Sequence, residues 1–124
     1  RIKNDLDIAL KLINKKVDIV VSMTKARKYP NFNMLKIKGK YLTLYKKNIK
    51  NIHRRQDVQN VFDMTTLFYV VKSQYLKKTN YLLNGKILGV QVPKTRSIDI
   101  DDIDDLNYAN YLIKNNENFN KIIK

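Results

Sequence analysis

Five carboxylates crowd into seven residues of the stretch "RSIDIDDIDDLNYANYLI" (96–113): Asp99, Asp101, Asp102, Asp104 and Asp105. The chain around them has a formal net charge of +14 and only eleven acidic residues in all. Like charges packed so closely repel, so water, a helix N-terminus or a metal ion must compensate them. Asp99 and Asp101 are two apart and alternate with Ile98 and Ile100. On an extended segment both carboxylates then share one face, and both isoleucines turn toward the core. Such a pair suits Mg²⁺, which takes one or two carboxylates and keeps positions for phosphate and water. The competing reading is that the acids only decorate a helix N-terminus, where they favour the helix dipole. That accounts well for Asp102, Asp104 and Asp105 and less well for Asp99, which precedes the first turn.

A second candidate is "RRQD" (54–57). The Arg55 guanidinium can hold a carboxylate or phosphate through two parallel hydrogen bonds, and Gln56 can read a hydroxyl or an amide. A solvated basic loop has the same composition, and neighbouring His53 is assigned no role. Third, Phe68 and Tyr69 lie in an apolar run, and Tyr81, Leu82 and Leu83 precede a turn signal. These could wall a ligand pocket or simply fill a core. No side chain presents itself as a catalytic acid, base or nucleophile. Cysteine is absent, which removes disulfides, thiolate chemistry and cysteine metal sites. One histidine cannot supply a His-rich zinc site. The three glycines are scattered and form no phosphate-cradling loop.

The charge invites a nucleic-acid reading. However, most basic residues are lysine, and Lys, Asn and Ile are all abundant, as an AT-rich coding bias produces. The lysines are spread along the chain without an RNP motif, zinc finger or Arg-rich stripe. No nucleic-acid partner is therefore expected, and attraction of a small anionic substrate is the more economical use of the field. No apolar run approaches the roughly 20 residues of a membrane span, so no membrane partner is expected and a cytoplasmic location is. The chain begins at Arg1 and runs straight into a helical pattern, as a piece of a longer protein does.

The elements that must position these residues form an α/β pattern within about one small domain. Leu6, Ala9, Leu12 and Ile13 mark one face of a first helix ending near residues 14–16. "VDIVVSM" (17–23) predicts a buried strand. "TKARKYPNF" is a loop that Pro30 keeps from being helical. In "MLKIKGKYLTLY" (34–45) Leu35, Ile37, Leu42 and Leu44 alternate with polar residues about Gly39-Lys40, which predicts a hairpin. "KKNIKNIHRRQD" (46–57) has little core character. "VFDMTTLFYVV" (61–71) is the strongest strand, "KSQYLKK" a short helix, Asn84-Gly85 a turn and "KILGVQV" (86–92) a further strand. Asp101 or Asp102 caps a last helix carrying Leu106, Ala109, Tyr111, Leu112 and Ile113 on its apolar face.

Taken together, "RRQDVQNVFDMTTLFYVVKSQYL" and "ILGVQVPKTRSIDIDDIDDLNYANYLI" resemble the C-terminal half of the acylneuraminate cytidylyltransferase family. These are the CMP-sialic acid synthetases and their relatives for legionaminic and pseudaminic acids. "DIVVSMTKARKYPNF" is similar to the family's D-S-V-V-S-V strand and following loop. The resemblance covers essentially the whole chain, 1–124. It implies a partial Rossmann-like nucleotidyltransferase domain with a mixed sheet, and a projecting β-rich arm (about 31–60) through which a homodimer forms. It implies transfer of CMP from CTP to a nine-carbon sugar acid with release of pyrophosphate. Asp99 and Asp101 match the Mg²⁺-binding aspartates, Arg55 with Gln56 a sugar-acid site, and Tyr69, Leu82 and Leu83 the pocket wall. The family's N-terminal L-x-x-R-x-x-S-K-x-x-x-x-K phosphate loop is not in this sequence. The chain alone is therefore expected to be inactive and to need an N-terminal half. Asp63 and Thr65 stand where sialic acid enzymes carry Arg and Asn, and Phe32 where Lys or Trp is common, which points to a relative acting on another sugar. The alternative is a non-catalytic dimerisation or regulatory module derived from the family.

Overall fold

The computed structural model describes residues 3–46 and 60–115. They belong to two compact units, one of residues 1–24 with 64–124, the other of residues 25–63. The first is a mixed α/β unit built on a strand buried on both faces, as the continuous apolar run predicts. That strand, β1 (Ile19–Lys25), is central in a three-stranded sheet. On its flanks lie β4 (Phe62–Val71) and β5 (Ile87–Gln91). Strands β1 and β5 are parallel, with Ile19 beside Ile87 and Ser22 beside Val90. β4 runs the other way: the Lys72 N–H donates to the Asp18 carbonyl (3.0 Å), and further along β1 the Ser22 hydroxyl meets Phe68 and Thr65.

Helix α1 (Lys3–Leu12) packs against β5, and Ala9 on it is fully buried. Ala9, Val17, Val20, Val90 and Val92 form the core, with Leu12, Ile13, Leu67, Phe68 and Val70 packed around it. Ala9, Leu12 and Ile13 face inward as predicted, and the departure is at Leu6. Asp5 is buried and Leu6 is exposed, because Asp5 has a partner inside, described below. The first strand also begins later than its apolar pattern suggests. The Asp18 carboxylate accepts the Lys86 N–H (2.9 Å) and pairs with Lys72 (3.6 Å) just ahead of the ladder.

After β4 come a short helix α2 (Ser73–Leu76), a 3₁₀ turn at Leu82–Asn84, β5, a second 3₁₀ turn at Lys94–Arg96 and helix α3 (Ile103–Asn115). α3 starts where the acidic run predicts, but no residue on it is buried. Its expected apolar face is exposed at Leu106, Tyr111 and Ile113.

In the second unit β2 (Leu35–Lys38) and β3 (Tyr41–Leu44) form the predicted hairpin. Gly39 takes φ 61° in its two-residue loop, the left-handed conformation such tight hairpin turns require and glycine supplies without strain. Tyr45 N–H donates to Met34 O (2.7 Å) and prolongs the ladder by one rung. Near Pro30 the chain turns back on itself, with Phe32 and Asn33 both donating to the Tyr29 carbonyl.

Candidate functional site

The chain leaves the parallel β1–β5 pair at its C-terminal end through a sequence of local anchors. Val92 N–H donates to Met23 O (2.8 Å) one residue beyond β5, and Val92 is almost wholly buried. Pro93 then opens the 3₁₀ turn, closed by Arg96 N–H on Pro93 O (3.0 Å) and by the Ser97 hydroxyl on Lys94 O (3.1 Å). Residues 97–101 are neither helix nor strand and belong to no ladder. Asp102 is the N-cap of α3: its carboxylate accepts the Asp105 N–H (2.9 Å), and its carbonyl accepts the Leu106 N–H (3.2 Å). Asp105 reaches back to accept the Asp101 N–H (3.2 Å). This reciprocal pairing satisfies donors that a helix start otherwise leaves open.

The acidic run is therefore divided in its work. Asp102 and Asp105 serve the helix start, whereas Asp99 and Asp101 are exposed residues of the segment before it. One part of the expectation fails: Ile98 is half-buried, but Ile100 is 55% exposed rather than in the core. Without a neighbouring strand, alternation along 97–101 has no sheet face to turn Ile100 into.

The sequence reading missed the group that anchors this segment. Arg96, three residues ahead of Asp99, pairs through its terminal nitrogen with the Asp5 carboxylate on α1 (3.2 Å). The two side chains are only 21% and 12% exposed, and Arg96 Nε is buried without a hydrogen-bond partner among the described residues. The available signal was Asp5, four residues before Ala9 and so on the same helix face. A carboxylate on a core-facing stripe demands a buried partner.

The proposed wall residues lie on separate elements. Tyr69 is exposed on β4, between Phe68 and Val70, which pack into the core; alternation puts Tyr69 on the opposite face of the sheet. Leu82 is half-buried and Leu83 exposed in the turn before β5. That turn is held by Tyr75, whose hydroxyl lies 3.2 Å from both the Tyr81 and Leu82 carbonyls. Gly85 makes room for the Tyr75 ring: a Cβ there would come within 2.7 Å of it. Thr65, at the position where sialic acid enzymes carry Asn, is buried and donates its hydroxyl to Ser22 Oγ (2.7 Å). It serves the sheet interior. Arg55, Gln56 and His53, and the part of the expected arm from 47 to 59, lie outside the described residues.

Among the described residues no group of three His, Cys, Asp or Glu is placed to hold a metal ion. Two exposed carboxylates still fit Mg²⁺, since that ion keeps several waters and binds through one or two carboxylates together with substrate phosphates. No described helix is long and apolar enough to cross a membrane. No family model matches the chain, and no curated protein matches it.

Proposed function

We propose that the chain is the C-terminal portion of a CMP-sugar-acid synthetase, a cytidylyltransferase with a Rossmann-like core. The observation that carries this reading is the position of the acidic segment. Asp99 and Asp101 lie in the segment that leaves the C-terminal end of parallel strand β5 through the Lys94–Arg96 turn, the end at which open α/β sheets take their ligands, and the helix cap uses neither carboxylate. The sequence resemblance supplies the chemistry. The anomeric hydroxyl of a nine-carbon sugar acid attacks the α-phosphorus of CTP in line, a new P–O bond forms, and the bond to pyrophosphate breaks. Asp99 and Asp101 hold Mg²⁺, which when bound stabilises charge on the phosphate oxygens. Arg55 and Gln56 bind the sugar acid, Arg55 gripping its carboxylate with a bidentate fork. Tyr69, Leu82 and Leu83 line the pocket. The β2–β3 hairpin belongs to an arm that pairs two subunits, supported by the exposure of Leu35, Ile37 and Leu42 along one of its faces.

The test is Asp101→Asn in the full-length protein, assayed for Mg²⁺-dependent release of pyrophosphate from CTP with a sugar acid. Turnover falls by orders of magnitude while the far-ultraviolet dichroism is unchanged. Wild-type turnover in the variant removes Asp101 from the site. A wild-type protein that dimerises yet transfers nothing favours the second reading, a non-catalytic dimerisation module, which the same exposed hairpin face supports.

A further inference from the structure

The positive charge is not evenly spread once the fold is known. From Lys25 to Lys46 there are seven basic residues and no acidic one, and the unit of residues 25–63 has eleven basic residues against two acidic. An AT-rich coding bias explains abundant lysine but does not segregate lysine from aspartate, which the rest of the chain carries freely. The hairpin then sorts these residues by face. Leu35, Ile37, Leu42 and Leu44 alternate onto one side; Lys36, Lys38, Tyr41, Thr43 and Tyr45 share the other. Directly opposite pairs are Lys36 with Thr43 and Lys38 with Tyr41. The Lys36 ammonium sits 5.7 Å from the Tyr45 ring centre, and the Lys40 ammonium 5.4 Å from that of Tyr41. Both rings are exposed. A depression of about 420 Å³ lies along the ribbon, lined by Lys36, Ile37, Lys38, Thr43, Leu44 and Tyr45, and so takes in residues of both faces.

Exposed rings flanked by ammonium groups, in a stretch of chain without a carboxylate from residue 25 to residue 46, have the two parts of a platform for unpaired nucleotides. The lysines take phosphates and release their counterions, and the ring faces stack on bases, which a duplex would hide. We propose that the polar face of the β2–β3 ribbon binds single-stranded nucleic acid without sequence preference. An anionic lipid surface is the less fitting occupant, because the tyrosines and lysines share one face and the aliphatic side chains that would enter lipid occupy the other. The cytidylyltransferase reading gives the aliphatic face of this same hairpin to subunit pairing; the present inference uses only its polar face.

The test is fluorescence anisotropy of a labelled 20-nucleotide oligothymidylate titrated with the whole chain. Binding in the micromolar range at low salt is expected, with log K falling against log salt at a slope of about −2, as neutralisation of roughly three phosphates by Lys36, Lys38 and Lys40 gives. K36Q/K38Q/K40Q loses at least tenfold in affinity, whereas K77Q/K78Q/K94Q, with the same change in net charge, keeps wild-type affinity. Tyr41→Ala weakens the oligonucleotide about tenfold and leaves a duplex of equal length unaffected, since stacking on unpaired bases is lost. Dichroism confirms that each variant is folded; if the triple variant is not, Lys38→Gln alone with Tyr41→Ala decides. Equal losses in the two triple variants would mean diffuse charge, and overturn the proposal. So would undetectable oligonucleotide binding, or sedimentation with phosphatidylserine vesicles in place of it.

Discussion

At the residue scale, the positions that matter most for folding are polar ones in apolar surroundings. Ser22 is fully buried in the middle of β1. Its hydroxyl accepts from Thr65 Oγ1 (2.7 Å) and the Phe68 N–H (3.3 Å), and it lies within 3.1 Å of Thr65 O and 3.3 Å of Phe68 O. One side chain thus meets main-chain groups three residues apart on β4 and gives backbone groups inside the sheet a partner. Ser22→Ala leaves the buried Thr65 hydroxyl and the part-buried Phe68 N–H without their acceptor and is expected to cost about 1–3 kcal/mol, read from urea unfolding. A loss below a few tenths would show that water or a shifted Thr65 takes over. Nothing in "VDIVVSM" announces this duty, because a serine in a strand carries no sign of the groups that lie opposite it. The same holds for Arg96 and Asp5. Removing one partner leaves the other charge largely buried, so Arg96→Met should destabilise by on the order of 3 kcal/mol. Adding Asp5→Leu should recover much of that, because a buried ion pair often does no better than apolar groups of similar size. A double variant no more stable than Arg96→Met would make the loss one of packing around the arginine stem.

At the scale of elements, patterns with a local cause were legible and those with a tertiary cause were not. The hairpin was readable because alternation and a glycine at the turn are both local. The start of α3 was readable because an N-cap is local too: Asp102→Ala should lower the unfolding free energy by about 1 kcal/mol, whereas Asp104→Ala, which makes no cap, should change it little. Equal effects would mean that the acids act only through the helix dipole. Which residues of α3 are covered was not readable, since periodicity marks a face but does not supply its neighbour. Leu106 and Ile113 keep the stripe without burial. The turn before β5 combines both cases. Asn84-Gly85 signals the turn, yet Gly85 is required for space: its φ is an ordinary −82°, and a Cβ there would strike the Tyr75 ring and, at 2.9 Å, the Asp18 Cβ. Gly85→Ala should therefore cost about 1–3 kcal/mol through overpacking. Tyr75→Ala in the same background should reduce that penalty, a coupling measurable by a double-mutant cycle.

For the whole molecule, the two faces of the hairpin set opposite responses to salt. Leu35, Ile37 and Leu42 are 56%, 78% and 64% exposed, an unusual outlay of apolar surface for one hairpin. Burying each against a second copy contributes roughly 1.5–3 kcal/mol. The proposed arm pairing therefore has a driving force that salt does not screen, opposed by repulsion between two strongly basic units that salt does screen. Association should strengthen as salt rises, whereas binding of an oligonucleotide to the polar face should weaken over the same range. Sedimentation velocity of the chain at low and high sodium chloride checks the first trend, and anisotropy checks the second. L42D/L44D should be monomeric at both salt concentrations, and the uncharged L42N/L44N, monomeric too and with its lysines and tyrosines intact, should keep its affinity for the oligonucleotide. A double variant that still dimerises puts the interface on another surface, with the uncovered stripe of α3 the next to test. An L42N/L44N variant that becomes monomeric and also loses the oligonucleotide shows that the two faces are not separate, and that the nucleic acid is held between paired hairpins.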